Sequence, residues 1–462
     1  MEPTIFTTEN NNTYLYSPYR KMFFPVSKSF DLTQAKENST STEYQKLYKE
    51  GYLQNYKEDF NGYITEDDVL LSLCNVPQVI FEVTSACNLR CEYCCYGYGY
   101  ETFKNRTQGN LKFDTAKTII DFLLKKMGGS NNTSTQTPFV ISFYGGEPLL
   151  NIDVIQQIVD YSKGLSIPNR ILNFSMTTNA TKLADNIEFL ERNKFHILVS
   201  LDGNKATNQH RKMANGKESY DLVMNNLRIV KEKYPDFFKT IRFNAVFSNT
   251  SDIDSVLSFF KETFEVVPTI SLLHEPDANA PGYDSIKNMI KPVGLPTNEV
   301  FENEAIIQIP LHKRIADFLF KLTHNYYTSE LDLLLNQSSE HYPTATCIPF
   351  SRRIFVTTQG DLLPCEKICR DNPFGKIRNK KVEINCKEVV QRHNNLTHKY
   401  SQICQNCYLQ MCCNQCAYNF KQNRCSSFKN KEQFKKILSE IFTYMELHPE
   451  INDIIENNII LR

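Results

Sequence analysis

The sequence predicts an α/β protein built on a parallel sheet and continued by a cysteine-rich C-terminal region. Two patterns predict it. Between residue 76 and about residue 275, short apolar runs alternate with amphipathic segments. The cysteines fall into two groups: five lie between 74 and 95, ten between 347 and 425, and none in the 251 residues from 96 to 346. Cysteine used as a small core hydrophobe would scatter. Two cysteine-bearing sites flanking a cysteine-free scaffold are the simplest account.

Residues 1–75, rich in Tyr, Asn and Ser, read as an N-terminal region with a hairpin over Tyr14–Val26 and a short helix over Glu43–Tyr52. Residues 76–300 form the main domain. Its apolar runs are 79–84, 139–144, 171–177, 196–202, 240–247 and 267–273, each bounded by turn residues as buried parallel strands are. Helical segments at 113–127, 151–163 and 218–234 separate them, which is the signature of βαβ units. Six such units make an incomplete (β/α) barrel or a flat doubly wound sheet, and periodicity does not choose between the two. Residues 275–300 read as loop, and helices at about 303–336 make 301–340 a helical connector. Residues 341–430 carry cysteines but few regular elements, and 431–462 read as a terminal helix.

Composition narrows the function. A 462-residue chain suggests two to four domains. Lys+Arg 52 against Asp+Glu 52 gives no net charge, so a general electrostatic nucleic-acid binder is not expected. The start, MEPTIFTTENNNTYLY, lacks the basic and apolar regions of a secretory signal, and no window approaches a membrane span of about 18 apolar residues. A soluble cytoplasmic protein is expected. Disulfides are rare there, so clustered cysteines read as metal ligands or redox groups.

The first cluster is Cys87-x3-Cys91-x2-Cys94, on the loop that follows a predicted strand. Ligand chemistry in βα folds gathers at the carboxyl ends of strands. Three thiolates on one tight loop suit three irons of a cubane and leave the fourth iron open. Zinc would need a fourth ligand, which Cys95 supplies only awkwardly beside Cys94 and Cys74 only from a distance. With Tyr93 before the last cysteine, the spacing resembles the radical S-adenosylmethionine (SAM) superfamily. Further motifs carry the resemblance. Gly145-Gly146-Glu147-Pro148 follows the second strand, Thr178-Asn179-Ala180 the third (with Ala180 where the family has Gly), and Ser200-Leu201-Asp202-Gly203 the fourth, with Arg211 beyond. The resemblance implies a partial (β/α)6 TIM-like barrel with a [4Fe-4S] cluster on Cys87, Cys91 and Cys94. SAM would lie against the Gly145-Gly146 turn, with Glu147 accepting from its ammonium. Ser200 and Arg211 would serve its carboxylate or ribose, Asn179 would orient the ribose, and Tyr93 would stack near the adenine. It also implies reductive cleavage of SAM and hydrogen abstraction from an unactivated carbon, with an electron donor such as flavodoxin or ferredoxin.

The second cluster is Cys347-x12-Gly360-x4-Cys365, then Cys404-x2-Cys407-x5-Cys413-x2-Cys416, then Cys425. On residues alone, such CxxC pairs also suit tetrahedral zinc. The pattern resembles the SPASM domain, which binds two auxiliary iron–sulfur clusters, and FVTTQGDLLPC (355–365) resembles its β-hairpin. The family has three residues between the last close pair; here there are two. The resemblance implies Cys347, Cys365 and Cys416 for a first auxiliary cluster, its fourth ligand being Cys369, Cys386 or none. It implies Cys404, Cys407, Cys413 and Cys425 for a second, with Cys412 left over.

SPASM enzymes act mostly on peptides or proteins. The strings FEVTSACNLRCEYCCYGYGY and ISFYGGEPLLN look most like bacterial maturases of ribosomally made peptides, which implies a precursor-peptide partner and a thioether or carbon–carbon crosslink or related oxidation. Residues 1–75 would then hold the precursor leader or simply pack on the main domain. The second expectation is a sulfatase-maturating enzyme that makes formylglycine. In that group an aspartate base follows the second SPASM cysteine; here Glu366 follows Cys365, one methylene longer, and is the candidate catalytic base. A non-catalytic electron-transfer or peptide-binding protein is the third.

Overall fold

The computed structural model describes residues 1–32, 41–57, 59, 60, 62–100, 106–291, 315, 344–413, 415–420, 425 and 427–449. The chain divides into two compact units. One comprises Met1–Tyr63, Glu299–Thr346 and Asn394–Arg462; the other comprises Ile64–Asn298 and Cys347–His393.

The first unit begins with an antiparallel sheet of β1 (Thr4–Thr7), β2 (Thr13–Ser17) and β3 (Met22–Pro25), followed by α1 (Thr42–Lys49). The expected hairpin is β2–β3; β1 adds a strand that the sequence reading passed over. Its two faces pack differently. Leu15 joins Leu47 of α1 and Phe30, whereas Phe6 and Tyr16 face a separate core.

In the second unit, α2 (Glu66–Asn75) starts with a capping box between Thr65 and Asp68. Six strands follow: β4 (Gln78–Thr84), β5 (Thr137–Gly145), β6 (Arg170–Thr178), β7 (His196–Ser200), β8 (Arg242–Phe247) and β9 (Thr269–Leu272). Each pairs in parallel with the next. The intervening helices are α3 (Phe113–Met127), α4 (Ile152–Lys163), α5 (Ile187–Arg192), α6 (Tyr220–Lys233), α7 (Pro235–Phe238) and α8 (Ile253–Phe264). The six apolar runs of the sequence are these six strands. A short α9 (Tyr283–Met289) lies within the stretch read as loop.

The strand order does not stop at β4. Strand β10 (Ile354–Val356) pairs parallel to the free side of β4, and β11 (Asp361–Leu363), β12 (Gly375–Arg378) and β13 (Lys381–Glu383) continue antiparallel into a ten-stranded sheet. The expected hairpin at 355–365 is β10–β11, with Gly360 at φ +84° in its turn. A charged tie fixes this addition. Glu82, fully buried in mid-β4, accepts from Arg106 and Arg370 at 2.7 Å each. Three buried charges that satisfy one another are costly to break, because removing one leaves the others unpaired.

The expectation of few regular elements in 341–430 is overturned by α10 (Cys386–Cys404), a helix of 19 residues. Val389, His393, Thr397, Tyr400 and Cys404 recur at helical spacing along its buried stripe. Cysteines stand only at its two ends, and their number elsewhere in the region masked the pattern. In the first unit, α11 (Lys431–Leu447) opens with a capping box between Asn430 and Gln433 and lays Phe434, Leu438 and Ile441 on Phe6 and Tyr16 of the N-terminal sheet. The helices expected at 303–336 and the end of the terminal helix lie outside the described residues, apart from Ile315. Among the described residues, no helix is long and apolar enough to cross a membrane.

Candidate active site and cysteine centres

The loop after β4 carries Cys87, Cys91 and Cys94, and its backbone is fastened on three sides. Arg90 N–H donates to Lys212 O at 2.7 Å, Glu92 N–H to His210 O at 3.0 Å, and Ala214 N–H to Asn88 O at 2.8 Å, so 88–92 runs as a short ladder against 210–214. Glu92 reinforces it through His210 Nδ1 at 2.7 Å and Lys212 Nζ at 2.5 Å. Farther on, Asp277 N–H donates to Gly99 O and Gly282 N–H to Tyr98 O, tying the loop to the segment before α9. The third attachment is to the end of β5. Gly146 N–H donates to Thr84 O and Glu147 N–H to Ala86 O, both at 2.9 Å.

That attachment explains the two glycines. A Cβ on Gly145 would stand 2.3 Å from Thr84 O, and one on Gly146 2.0 Å from Ala86 O. Their nearest constraint is the protein's own backbone, and they hold the cysteine loop against the sheet. Glu147 is likewise engaged internally. Its carboxylate accepts from Thr178 Oγ1 at 2.7 Å, Asn179 N–H at 2.7 Å and Leu149 N–H at 3.2 Å. Burial pushes its carboxyl up to about 7 against these donors. It straps the end of β5 to the end of β6.

Asn179 passes the connection to the first cysteine. Its Nδ2 donates to Cys87 Sγ at 3.8 Å and to Asn88 Oδ1 at 3.0 Å, while its Oδ1 accepts from Thr181 N–H and Oγ1. The next residue, Ala180, has φ +60°. This left-handed conformation accounts for glycine in the family motif, and Ala180 bears its strain.

Sequence reasoning gave Asp202, the hub of the site, only as a member of the Ser200-Leu201-Asp202-Gly203 motif and assigned it no role of its own. The buried Asp202 pairs with Arg211 Nη2 at 3.0 Å, accepts from the Tyr93 hydroxyl, and accepts from Val246 N–H at 2.9 Å. Arg211 lies over the Tyr93 ring, 5.5 Å from its centroid. Tyr93, expected beside the adenine, packs with Tyr100, Ile286 and Met289. Its internal contacts fix the middle of the cysteine loop. A buried acid paired with Arg211 is the signal that could have found the hub. Ser200 stands half-buried at the carboxyl end of β7.

The three thiols feel one another electrostatically. Burial pushes Cys91 up to about 12 against the nearby Arg211, and burial raises Cys87, whose sulfur accepts from Leu89 N–H at 3.4 Å. Cys94 is lowered to about 6, chiefly by the hydrogen bond from Cys95. A buried cation and sulfur-directed N–H donors suit bound thiolates.

Glu366 follows β11 in the same unit. Arg353 Nη1 donates to both of its oxygens at 3.2 Å, and Cys365 Sγ–H donates at 3.3 Å. Arg370, in the segment after Glu366, donates to Glu82 at 2.7 Å and to the hydroxyl of Tyr96, two residues after Cys94, at 3.4 Å. Nearby, burial raises the phenol of Tyr144 at the end of β5. Cys347 is exposed on the approach to β10, with Arg352 Nη1 4.0 Å from its sulfur; Cys365 and Cys369 are half-buried. Cys416 belongs to the other unit.

In the first unit, Cys404, Cys407, Cys413 and Cys425 line one cavity of about 40 Å³, together with Cys412 and a largely apolar wall. Cys407, Cys413 and Cys425 all raise the Cys404 thiol, and Cys407 also raises Cys413 and Cys425, so the four share one electrostatic neighbourhood. Backbone donors aim at the sulfurs: Gln415 N–H to Cys413 at 3.4 Å and Lys429 N–H to Cys407 at 3.5 Å. This is the donor set an iron–sulfur cluster requires, thiolates with N–H groups directed at sulfur. Among the described residues, no three His, Cys, Asp or Glu side chains converge as the ligands of a single ion do. A cluster gives each thiolate its own iron and does not require that convergence.

Comparison with known proteins agrees with this geometry. Residues 81–259 match the radical SAM superfamily. A cysteine-type anaerobic sulfatase-maturating enzyme of Clostridium novyi is 25% identical over 403 residues, covering 80% of this chain and 97% of the relative. The radical SAM cyclopropyl synthase TigE of Paramaledivibacter caminithermalis is 26% identical over 36% of this chain and 34% of its own length. The solved structure of native anSMEcpe with bound AdoMet superposes with a TM-score of 0.54 at 19% identity, covering 82% of this chain and 99% of that one, and shares the fold. Residues 81–259 form a radical SAM domain, the domain of enzymes that use SAM and a [4Fe-4S] cluster.

Proposed function

We propose that this protein is a radical SAM enzyme that oxidises a side chain of a peptide or protein, with Cys87, Cys91 and Cys94 holding the SAM-binding cluster and Glu366 acting as the base. One observation carries the reading: Arg370, four residues after Glu366, donates to Glu82 of β4 at 2.7 Å and to the hydroxyl of Tyr96, two residues after Cys94, at 3.4 Å, so the segment that bears Glu366 is tied to the cysteine loop. Bound at that loop, SAM and the reduced cluster supply hydrogen abstraction from an unactivated carbon. The chain's own residues do the rest. Asp202, through Arg211 and Tyr93, fixes the loop, and Glu147 and Asn179 fix its neighbour across the sheet. Glu366, oriented by Arg353, takes a proton from the thiol, hydroxyl or amide of the substrate radical left by hydrogen abstraction, and the second electron of the oxidation would pass to an auxiliary iron–sulfur cluster held by the C-terminal cysteines.

Formylglycine formation is supported by the similarity to the sulfatase-maturating enzyme, which extends over nearly the whole of that relative. Crosslinking within a ribosomally made precursor is the second reading, favoured by glutamate in place of aspartate after Cys365. In that case the edge of β3 offers a leader peptide a place to add a strand. An electron donor of the flavodoxin or ferredoxin type reduces the centre. Anaerobic incubation with a cysteine- or serine-bearing sulfatase peptide and with a peptide encoded beside the gene, read by mass spectrometry, tests both. Aldehyde supports the first, loss of a hydrogen pair without aldehyde the second, and unchanged peptides with no 5′-deoxyadenosine contradict the proposal.

A further inference from the structure

The cysteine-lined cavity of the first unit contains one group that its thiols do not explain. Gln410 opens the single helical turn Gln410–Cys412 between Cys407 and Cys413, and its side chain lines the cavity. It is only 6% exposed, and among the described residues neither Nε2 nor Oε1 has a hydrogen-bond partner. Its backbone N–H is already used, donating to Cys407 O at 3.2 Å. A buried amide without a partner is rare in native proteins and points to a partner in the space beside it. Besides the cysteines, the wall is Ile403, Leu409, Phe420 and Phe428, with Gln415 and Ser427 as its other polar residues.

We infer that the Gln410 amide donates from Nε2 to a sulfur of the cluster held by Cys404, Cys407, Cys413 and Cys425, and so sets that cluster's reduction potential. The inference rests on the reading that these four cysteines bind an auxiliary cluster. A side-chain donor has a consequence that the surrounding backbone donors share only in sum. Reduction adds negative charge to the sulfurs, and a hydrogen bond to sulfur stabilises that charge, which raises the potential. Gln410 is thus a positioning and tuning residue. It touches the cluster without being a ligand and is replaceable without loss of iron.

The test is a redox titration of the full-length protein, reconstituted anaerobically with iron and sulfide and followed by electron paramagnetic resonance. Wild type is compared with Gln410→Met, which keeps the length and removes the donor, and with Gln410→Asn, which keeps an amide but shortens its reach. The expected result is full iron content in the variants and one midpoint moved to a more negative potential, further in Met than in Asn, with the other midpoints unmoved. Unchanged midpoints at full iron would overturn the inference. Iron loss in both variants would overturn it as well, since it would make Gln410 part of the framework of the site. Failure of the underlying reading looks different. Protein carrying Cys87→Ala, Cys91→Ala and Cys94→Ala, with Gln410 intact, would then lose no further iron when Cys404→Ala is added.

Discussion

The two cysteine centres solve opposite problems. The early loop places three sulfurs where neighbouring strand ends can hold them. Asp202, Glu147 and the 210–214 segment supply the rigidity, and the thiols contribute little to the local fold. At the C-terminal centre the sulfurs belong to the packing itself. Cys404 lies in a small core with Phe60, Tyr400 and Ala417, and four cysteines close one cavity between short turns. A site with three protein ligands keeps a position for an exogenous partner, whereas a site with four is closed, the same division that separates catalytic from structural metal sites. On the proposed assignment, the scaffold would carry an open centre, whereas at a closed centre the ligands would help to make the scaffold.

The sharpest way to break this contrast is to delete each set of sulfurs. Replacing Cys87, Cys91 and Cys94 together by Ala should abolish 5′-deoxyadenosine formation while the fold and the C-terminal iron persist. Replacing Cys404, Cys407, Cys413 and Cys425 should remove iron and also make residues 394–449 sensitive to protease. Equal protease resistance in the two variants would refute the division. Next in size, Glu366→Gln should lower peptide product formation by about 10²–10⁴-fold, typical of a lost general base, while 5′-deoxyadenosine still forms. Measuring both products in one reaction separates a base from a cluster defect.

Smaller effects concern the bracing. Asp202→Ala leaves Arg211 buried without its carboxylate and should cost about 3–5 kcal/mol in anaerobic denaturant unfolding, far more than any single backbone tie. Ala180→Gly relieves a left-handed backbone at the end of β6 and should stabilise by about 0.5–1 kcal/mol, since the relief of roughly 1–2 kcal/mol is partly offset by glycine's entropy in the unfolded chain.

The legibility of these features followed their physical range. The six parallel strands could be read because strands buried on both faces are near-continuous apolar runs, and β4 and β5 are such runs apart from Glu82 and Ser142. The cysteines could be read from spacing, and the structure brings Cys404, Cys407, Cys413 and Cys425 to one cavity. Long-range partners could not. Nothing in the local pattern of Ile354–Val356 says that it pairs with β4, nor that Arg106 and Arg370 meet on Glu82 from 24 and 288 residues away. Asp202 was legible only as a member of a strand-end motif, because its partners, Tyr93, Arg211 and Val246, are brought together only by folding. Helix α10 was hidden for a different reason: its amphipathic stripe was present, but the surrounding cysteine density was taken to mean irregular structure.

The central claim is that Cys87, Cys91 and Cys94 hold a cluster with one iron left for SAM. The most direct measurement is the paramagnetic resonance spectrum of the reduced, anaerobically reconstituted protein before and after SAM is added, with Cys404→Ala present to simplify the auxiliary signals. The account predicts a spectrum that changes on addition of SAM and a response that vanishes in Cys94→Ala. A spectrum indifferent to SAM would contradict it.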